Sequence, residues 1–395
     1  MADPWLTIIG IGEDGPAGLS DASREALSEA EIIFGGPRHL ELVGAGKKGR
    51  PWPVPFTVEP VLALAGQKVA VLASGDPFWH GAGGSLAAHL PPESWRALPA
   101  PSVFSLAAAR LGWRLEDTVC IGLHAAPFEQ LVSLLAPGQN ILCTLRDGAA
   151  PAALAEWLAK EGFGASELTV LEALGGPREQ LRQTTAEGFA VTGITAPVAM
   201  AITPRGAAGL PRASGLADEL FAQDGQITKR PMRALTLSAL APRAGGHLWD
   251  IGAGSGSISV EWALSAPGCT ATAIEPRADR LAFIRENARR FGLTHRIDVI
   301  EGRAPAQLAA LPRPDAVFIG GGADEDLLAD LWQRLPAGTR ITSNAVTLES
   351  QALLTRWHQD KGGDLWRIDL AQAEALGRMR GWKSARPQLQ WTVLR

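Results

Sequence analysis

The sequence predicts an α/β protein of two domains, and three observations lead to this prediction. Strand-like and helix-like apolar segments alternate along the 395 residues, as expected for sheets covered by helices. Residues 203–215 are rich in Gly, Pro and Ala without apolar periodicity, which is typical of a linker. Residues 248–256, LWDIGAGSG, predict a buried strand that runs into alternating glycines. Such a turn lets a ligand approach the backbone closely, although a tight turn without a ligand is the alternative.

The composition argues against several classes of protein. The net charge of −4 offers no basic surface for a nucleic acid. Cys120, Cys143 and Cys269 form no C-x-x-C pair, so we expect neither a zinc site nor a disulfide framework. The sequence has no run of about 18 apolar residues, and residues 1–5 lack the basic start of a signal peptide. We therefore expect a cytoplasmic protein that does not associate with membranes.

In the first half, apolar segments run into loops that are rich in glycine or proline. We predict strands at 5–11, 32–34, 69–72, 141–145, 168–174 and 198–202. We predict helices after a cap at Ser20, at 103–113 with Gly112 as its end, and at 152–162. The loops at 35–40 and 73–77 follow strands, and open α/β sheets bind ligands at the carboxyl ends of their strands.

The second half has a more regular pattern. An amphipathic helix is predicted at 226–240, with the apolar members Met232, Leu235, Leu237 and Leu240. After the glycine strand, we predict strands at 271–274, 297–300, 316–319 and from Ile341, and a helix at 276–291. Two late segments, 365–370 and 389–394, are expected to form an antiparallel pair.

Four features of this half together favour a class I methyltransferase sheet over a nicotinamide-binding one. The spacing Gly252-x-Gly254-x-Gly256 departs from the G-x-G-x-x-G of dinucleotide folds. Glu275 ends the next strand, where a carboxylate can accept the ribose hydroxyls of either NAD or S-adenosylmethionine. The backbone at 301–304 could lie against an adenine ring, and the late antiparallel pair fits a Rossmann-like seven-stranded sheet with one reversed hairpin.

Four separated segments of the second half match one family in order. They are GQITKR at 225–230, WDIGAGSG at 249–256, FIGGG at 318–322 and SNAVTLE at 343–349. From about Gly215 onward the chain thus resembles the decarboxylating precorrin methyltransferases of cobalamin synthesis. The resemblance implies S-adenosylmethionine contacts at Thr228, Gly252, Ala253, Gly254, Ser255, Gly256, Glu275 and Ala304. It also implies that Gly321 and Asn344 border the substrate.

Three segments of the first half match a second family. IGIG at 9–12, GGPRHL at 35–40 and SGDP at 74–77 resemble the class III tetrapyrrole methylases, a two-lobed fold, over about residues 4–202. The chain departs from the family at 101–105, where PSVFS replaces a PGxSS-type loop. The resemblance implies S-adenosylmethionine contacts, first at Asp76 and then at Gly12, Gly75, Ser102 and Ser105. Arg38 and His39 are candidates for contact with substrate carboxylates.

Several of these residues have a structural alternative. Thr228 could be a helix N-cap, Glu275 a solvated carboxylate and Asp76 the cap of an Asx turn. His39 could be a structural hydrogen-bonding group, and Gly321 and Asn344 ordinary loop residues. A basic cluster could bind the carboxylate arms of a precorrin or be an exposed loop. Its members are Arg378, Arg380, Lys383 and Arg386.

Joined in one chain, the two halves resemble the bifunctional decarboxylating precorrin-6Y C(5,15)-methyltransferases. The resemblance implies methylation of a precorrin-6B/6Y type substrate at carbon 5 by residues 1–203. A linker at 204–215 leads to residues 216–395, which would methylate carbon 15 and decarboxylate the ring C acetate to give a precorrin-8 type product. We expect two S-adenosylmethionine sites, no metal, no covalent nucleophile and a homo-oligomer. A nicotinamide-dependent oxidoreductase with a fused domain and a non-catalytic tetrapyrrole scaffold remain the alternatives.

Overall fold

The computed structural model describes residues 4–395, so the first three residues of the predicted domain 1–203 lie outside the described residues. The chain divides into two compact units. The first contains the residues up to Phe128 together with Leu134–Ala208, and the second contains Glu129–Ser133 together with Gly209–Arg395. Both units contain β-sheets and helices, which confirms the predicted α/β class.

The first unit contains a five-stranded parallel sheet. Its strands are β1 (Leu6–Ile11), β2 (Ile32–Gly35), β3 (Gly49–Pro51), β4 (Val69–Ser74) and β5 (Trp95–Leu98). Four short helices belong to this part of the chain, namely α1 (Asp21–Glu29), α2 (Pro37–Leu42), α3 (Glu59–Leu62) and α4 (Ala82–Ala87). The strand order is β3-β2-β4-β1-β5, and all neighbours are parallel. Ile8 and Ile9 pack into separate apolar clusters, so both faces of the sheet are covered.

A second sheet completes the first unit. Its strands are β6 (Thr118–Gly122), β7 (Asn140–Leu145), β8 (Glu167–Glu172), β9 (Gln180–Thr185) and β10 (Val198–Thr203). The accompanying helices are α5 (Val103–Leu111) and α6 (Ala150–Lys160). The order is β6-β7-β10-β8-β9, and only β6 and β7 are parallel. Two separate sheets within one unit agree with the two-lobed fold expected from the family resemblance.

Two local predictions for the first unit are confirmed and one is wrong. Ser20 caps α1 by accepting a hydrogen bond from the N–H of Ser23, and Gly112 ends α5 in the left-handed conformation. The loop expected at 35–40 is instead largely helix α2, which begins at Pro37. Proline suits the first turn of a helix, because its φ is already helical and its missing N–H would have no partner there.

The second unit is built on a seven-stranded sheet. Its strands are β11 (His247–Ile251), β12 (Thr270–Glu275), β13 (Ile297–Glu301), β14 (Ala316–Ile319), β15 (Arg340–Ala345), β16 (Asp364–Ile368) and, after the β17–β18 hairpin (Ala371–Leu376 and Met379–Ser384), β19 (Gln388–Leu394). The order is β13-β12-β11-β14-β15-β19-β16, and only β19 is antiparallel to its neighbours. The seven strands and the late antiparallel pair are as predicted.

Five helices cover this sheet. They are α7 (Arg230–Leu240), α8 (Ser257–Ser265), α9 (Ala278–Arg290), α10 (Glu325–Arg334) and α11 (Leu348–Lys361). Leu248 and its neighbour Trp249 in β11 pack into different apolar clusters, so helices cover both faces. The carboxyl ends of the parallel strands are therefore the edge of the sheet where a ligand can enter.

The predicted helix at 226–240 begins later than expected. It starts at Arg230, and Lys229 occupies the N-cap position without a side-chain hydrogen bond. Pro231 in the first turn fixes this start, because a helix that began much earlier would place proline, which has no N–H to donate, in its interior. Thr228 is consequently not the N-cap, and Leu235, predicted to be on the apolar face, is 42% exposed.

The predicted linker 204–215 is tied down at both ends. The N–H groups of Arg205 and Ala207 donate to Ser166 Oγ and to the carbonyl of Gly162, each at 3.0 Å. At the other end, the N–H of Gly215 donates to Glu261 Oε2 at 2.6 Å. These hydrogen bonds leave 208–214 as the part of the predicted linker between the two anchored ends.

Candidate functional site

The second unit has a cavity of about 660 Å³ at the carboxyl edge of its sheet. The strand order reverses between β11 and β14, and this is the point where open α/β sheets bind ligands. Residues from the ends of both strands line the cavity, namely Ile251, Gly252, Phe318, Gly320, Gly321 and Gly322. The fold thus places the glycine segment singled out in the sequence at a binding cleft.

Gly252 shows why this turn requires glycine. Its φ is +69°, and a Cβ there would lie 2.7 Å from the carbonyl oxygen of Gly321. Any other residue would therefore be strained and would also collide with the turn after β14. Gly256, by contrast, does not line the cavity, and a Cβ there would lie 2.9 Å from Ile284 Cγ2.

Glu275 lies at the end of β12 and is only 3% exposed. Its Oε2 accepts a hydrogen bond of 2.9 Å from the N–H of Gly254, and its Oε1 accepts one of 3.1 Å from the N–H of Arg277. The carboxylate is thus not the solvated strand-end group considered as its alternative. Each oxygen accepts one of these bonds and can accept another, and Glu275 lines the cavity, which suits a ligand with two adjacent hydroxyls.

Asp250 is a fully buried carboxyl just before the glycine turn. Its Oδ2 accepts hydrogen bonds from the N–H of Ser259 at 3.1 Å and from its hydroxyl at 2.6 Å, whereas Oδ1 has no partner among the described residues. Burial raises the pKa of Asp250 to about 6, and the charge of Glu275 adds to the rise. The Ser259 hydrogen bonds oppose it.

A buried arginine positions the segment that carries Thr228. Arg233 in α7 donates to the carbonyl of Thr228 and forms an ion pair with Glu261 in α8. Its guanidinium lies 4.6 Å from the centre of the Phe221 ring. Thr228 itself lines the cavity, so the family-implied contact residue is held by an arginine that sequence reasoning missed.

Asn344 lies at the end of β15 and lines the same cavity. Its amide donates to Thr236 Oγ1 at 2.9 Å, and its Oδ1 accepts from Gln390 at 3.0 Å. This network fixes the orientation of the amide at the cavity wall. The predicted residues that line this cavity are Thr228, Gly252, Ala253, Gly254, Ser255, Glu275, Ala304, Gly321 and Asn344.

Arg378 is a predicted substrate contact that the structure does not bring to this cavity. It lies in the turn between β17 and β18, a hairpin that the sequence did not predict and whose residues are largely exposed. The other three members of the basic cluster are exposed in or beside the same hairpin, and Lys383 pairs with Glu374 at 2.7 Å. An exposed position is the structural alternative that the sequence had left open.

The first unit has a separate cavity of about 310 Å³. It is lined by the turns after β1 and β4, by the start of α5 and by the second sheet. The predicted S-adenosylmethionine contacts that line this cavity are Gly12, Gly75, Asp76 and Ser102. Ser105 does not line it; its N–H donates to Ser102 Oγ in the N-cap of α5, and its hydroxyl lies 3.0 Å from the same oxygen.

Gly75 occupies a tight position between two segments of this cavity. Its φ is +57°, and a Cβ would lie 2.8 Å from the α-carbon of Ser102. The next residue, Asp76, accepts a hydrogen bond of 2.8 Å from the N–H of Phe78 through Oδ1. The Asx turn considered for Asp76 is therefore present, and the same carboxylate lines the cavity.

His39 makes structural hydrogen bonds. Its Nε2 lies 2.8 Å from Ser74 Oγ and 3.0 Å from Arg38 Nη2. Burial, with a smaller effect of the Arg38 charge, lowers the pKa of His39 to about 4. Arg38 lines the cavity and forms an ion pair with the buried Glu13, whereas His39 does not line it.

Two histidines at this cavity were missed by sequence reasoning. His80 and His124 both line it, and their ring centres are 6.2 Å apart. The only local signal was the position of His80 shortly after the SGDP segment.

Across residues 4–395, no group of three or more His, Cys, Asp or Glu side chains could hold a metal ion. Within the same residues, no helix combines the length and the hydropathy needed to span a bilayer.

Comparisons with known proteins match the two halves of the chain to two families. Residues 5–190 match the tetrapyrrole (corrin/porphyrin) methylases, and residues 219–395 match the precorrin methyltransferase domain. A precorrin-6Y C(5,15)-methyltransferase [decarboxylating] of Sinorhizobium sp is 47% identical over 99% of this chain and 97% of its own length. A protein of the same name from Mycobacterium tuberculosis (strain CDC 1551 / Oshkosh) is 40% identical over 98% of this chain and 99% of its own length.

A solved structure covers part of the chain. The C-terminal domain of precorrin-6Y C5,15-methyltransferase from Rhodobacter capsulatus is 59% identical, with a TM-score of 0.46, over 47% of this chain and 100% of that domain. The full-length relatives cover both units of the chain. On their identity and coverage, the chain belongs to the decarboxylating precorrin-6Y C(5,15)-methyltransferases, a family of S-adenosylmethionine-dependent methyltransferases.

Proposed function

We propose that this chain methylates a precorrin-6B/6Y type substrate at carbons 5 and 15 and removes carbon dioxide from the ring C acetate, giving a precorrin-8 type product. The observation that carries the proposal is the presence of two separate cavities, one in each unit. Two cavities suit two methyl transfers by one chain. The names of the full-length relatives support the same substrate and the same two positions.

We assign carbon 5 to the first unit, and carbon 15 with decarboxylation to the second. The proposed bounds are residues 1–203 and 216–395, with 204–215 between them. The match of residues 219–395 to a precorrin methyltransferase domain supports this assignment, as does the match of 5–190 to tetrapyrrole methylases.

Each cavity would hold one S-adenosylmethionine, which supplies an electrophilic methyl group when bound. In the second unit, Glu275 would accept the ribose hydroxyls, and the turn that begins at Gly252 would allow the donor to approach the backbone. Asn344 would orient the substrate from a wall that is fixed by hydrogen bonds. Positioning and exclusion of water would supply much of the rate, since methyl displacement by an electron-rich carbon needs alignment more than a strong base.

Decarboxylation requires an acceptor for the electron pair that the departing carbon dioxide leaves behind. The conjugated macrocycle of the substrate can take up this pair, so we propose that neither reaction uses a metal ion or a covalent nucleophile. Dialysis against a chelator should leave the turnover of the full chain unchanged. A loss of activity that zinc or magnesium restores would contradict this part of the proposal.

A cytoplasmic location stays a prediction that cell fractionation can test.

Turnover of the full chain with a precorrin-6 type substrate is the direct test. We expect two molecules of S-adenosylhomocysteine for each carbon dioxide released, and a product with two new methyl groups by mass spectrometry. Calorimetry should give two equivalents of bound S-adenosylmethionine per chain. Binding of NADH instead would favour an oxidoreductase, and cofactor binding without turnover would favour a scaffold.

We also propose that the chain forms a homo-oligomer through the β17–β18 hairpin. Leu376 and Met379 are paired across this hairpin and are 70% and 76% exposed, and Trp382 on its other face is 78% exposed. Large exposed apolar side chains of this kind are typical of an interface. Light scattering of the full chain should give a mass above 41.6 kDa. Replacement of Trp382 and Met379 by Ser should shift it toward the monomer, whereas a monomeric wild-type chain would contradict the proposal.

A further inference from the structure

The cavity of the first unit is lined by five acidic or basic side chains. They are Glu13, Arg38, Asp76, His80 and His124. The remaining lining residues are mostly apolar, including Leu106, Leu145, Leu171, Leu174 and Val198. A proton released inside this cavity can therefore be taken up only by one of a few groups or by water.

Three of the five groups are committed to other contacts. Glu13 pairs with Arg38 and, at 3.4 Å, with Arg178, so its charge is already balanced. An arginine guanidinium does not lose its proton in proteins and cannot act as an acceptor. Asp76 holds the turn after β4 through the N–H of Phe78. The two imidazoles are the groups that remain.

His80 has a strained backbone conformation at the edge of this cavity. Its φ is +54°, a conformation that non-glycine residues rarely adopt and that costs free energy. No hydrogen bond holds its ring among the described residues, although the ring contacts Trp79 and His124 at centre distances of 6.1 Å and 6.2 Å. The side chain is exposed, so the strain is not explained by packing in the core.

Gly122 at the end of β6 makes room for both rings. A Cβ at this position would lie 3.1 Å from His80 Cδ2, 3.2 Å from His80 Nε2 and 3.4 Å from His124 Cε1. The φ of Gly122 is not positive, so alanine would fit its backbone. The absence of a Cβ at Gly122 therefore leaves space for the two imidazoles and is not required by the backbone. Replacing Gly122 by Ala should displace the imidazoles while keeping both histidines.

We propose that His80 accepts the proton displaced from the substrate carbon that is methylated in this cavity; this rests on the proposed function of the first unit. A new bond joins the methyl carbon to a ring =CH– carbon, the carbon–sulfur bond breaks, and its electron pair stays on sulfur. The ring carbon then loses its hydrogen as a proton. One proton is thus released for each methyl group transferred, and it carries the positive charge that the sulfonium had. His80 takes this proton and, through His124 or directly, releases it to solvent.

Replacing His80 by Asn tests the proposal, because Asn tolerates positive φ better than most residues. In full-length H80N, we expect the first-unit methylation to fall roughly 100-fold, in line with the usual contribution of a positioned base. The methylation and carbon dioxide release assigned to the second unit should continue, so that a product with one new methyl group accumulates. H89N, which changes an exposed histidine outside the cavity, is the matched control.

Chemical rescue separates a proton acceptor from a structural residue. In H80G, added imidazole should restore first-unit methylation in proportion to its concentration, and the thermal midpoint should not fall, because glycine relieves the positive φ. G122A should lower kcat for that methylation with little change in KM for S-adenosylmethionine. Equal doubly methylated product from wild type, H80N and H80G would overturn the role of His80. Failure of the wild type to transfer two methyl groups would instead overturn the proposed function.

Discussion

Arg233 on α7 and Glu261 on α8 form an ion pair whose side chains are 0% and 2% exposed. The same guanidinium donates to the carbonyls of Leu216 and Thr228 and pairs with Asp218 at 3.1 Å. The carboxylate also accepts from the N–H groups of Gly215 and Leu216. One buried pair thus joins two helices and the segment that leads to the cavity of the second unit.

Replacing one partner of this pair should be strongly destabilising, because the other charge is left buried without a counter-charge. We expect R233M and E261M each to lower the free energy of unfolding of the full chain by about 3–5 kcal/mol. The double variant should cost less than the sum of the single ones. Denaturant unfolding of all four proteins measures the coupling, and additive costs would show that the pair does not act as a unit.

The parallel strands could be predicted because their residues are buried on both faces. Trp249 and Leu248, adjacent in β11, face opposite apolar clusters, so the strand is a continuous apolar run that ends in glycine. The hairpin β17–β18 has no such signal, because nearly all its residues are exposed and no face alternates with a buried one. Local pattern therefore predicts the framework and misses the exposed hairpin.

The candidate site was predictable only where the residues are local in sequence. The segment from Gly252 to Ser255 directly follows β11, and Glu275 is the last residue of β12. Their positions at the edge of the sheet therefore follow from the order of the strands. Arg233 looks like a polar residue of an amphipathic helix, and nothing local indicates that Glu261 faces it 28 residues later. His80 and His124 meet only because separate elements converge on one cavity.

Glu275 offers a test of S-adenosylmethionine binding in the second unit. E275Q keeps the size of the side chain but loses the charge and one acceptor oxygen. Since hydrogen bonds to charged groups contribute about 1.5–3 kcal/mol, we expect the affinity of one of two sites to fall roughly 10-fold to 100-fold. Calorimetry should then show one unchanged and one weakened site.

The neighbouring strand provides the control for this variant. Glu301 lies beside Glu275 in the register of β12 and β13, but it is exposed and does not line the cavity. E301Q should therefore bind two equivalents with unchanged affinity. Equal effects of E275Q and E301Q would indicate a general electrostatic contribution instead of a ribose contact.

Gly75 tests the cavity of the first unit. G75A adds a methyl group that meets the α-carbon of Ser102 at 2.8 Å and the carbonyl oxygen of Pro101 at 2.9 Å, in addition to the strain of positive φ. We expect first-unit methylation to be lost while carbon dioxide release continues. Mass spectrometry of the product should show one new methyl group.

Gly44 is the matched control for Gly75. Its φ of +59° is nearly the same, but no atom lies within 4 Å of a Cβ at this position. G44A therefore carries the backbone strain alone, roughly 1–2 kcal/mol. We expect both methylations to continue in G44A, and loss of activity in both variants would attribute the effect to strain rather than to the cavity.

Asp250 should make the stability of the second unit depend on pH. Its folded pKa of about 6 lies above its ordinary value of 3.8, chiefly because of burial. The folded state therefore holds the proton more tightly, and this contribution to stability is complete below about pH 4 and is lost as pH rises through about 6. One pKa unit corresponds to about 1.4 kcal/mol, so the change is on the order of 2–3 kcal/mol.

D250N removes this titration and keeps an oxygen that can accept from Ser259. Between pH 4 and pH 7.5, the free energy of unfolding of wild type should fall by about 2–3 kcal/mol through this group, whereas that of D250N should not. The difference between D250N and wild type should therefore change by this amount in favour of D250N. S259A should act in the opposite direction, because the Ser259 hydrogen bonds lower the pKa of Asp250 and their loss raises it further. Denaturant unfolding at several pH values measures both effects. Parallel stability curves for wild type, D250N and S259A would show that Asp250 does not titrate in this range.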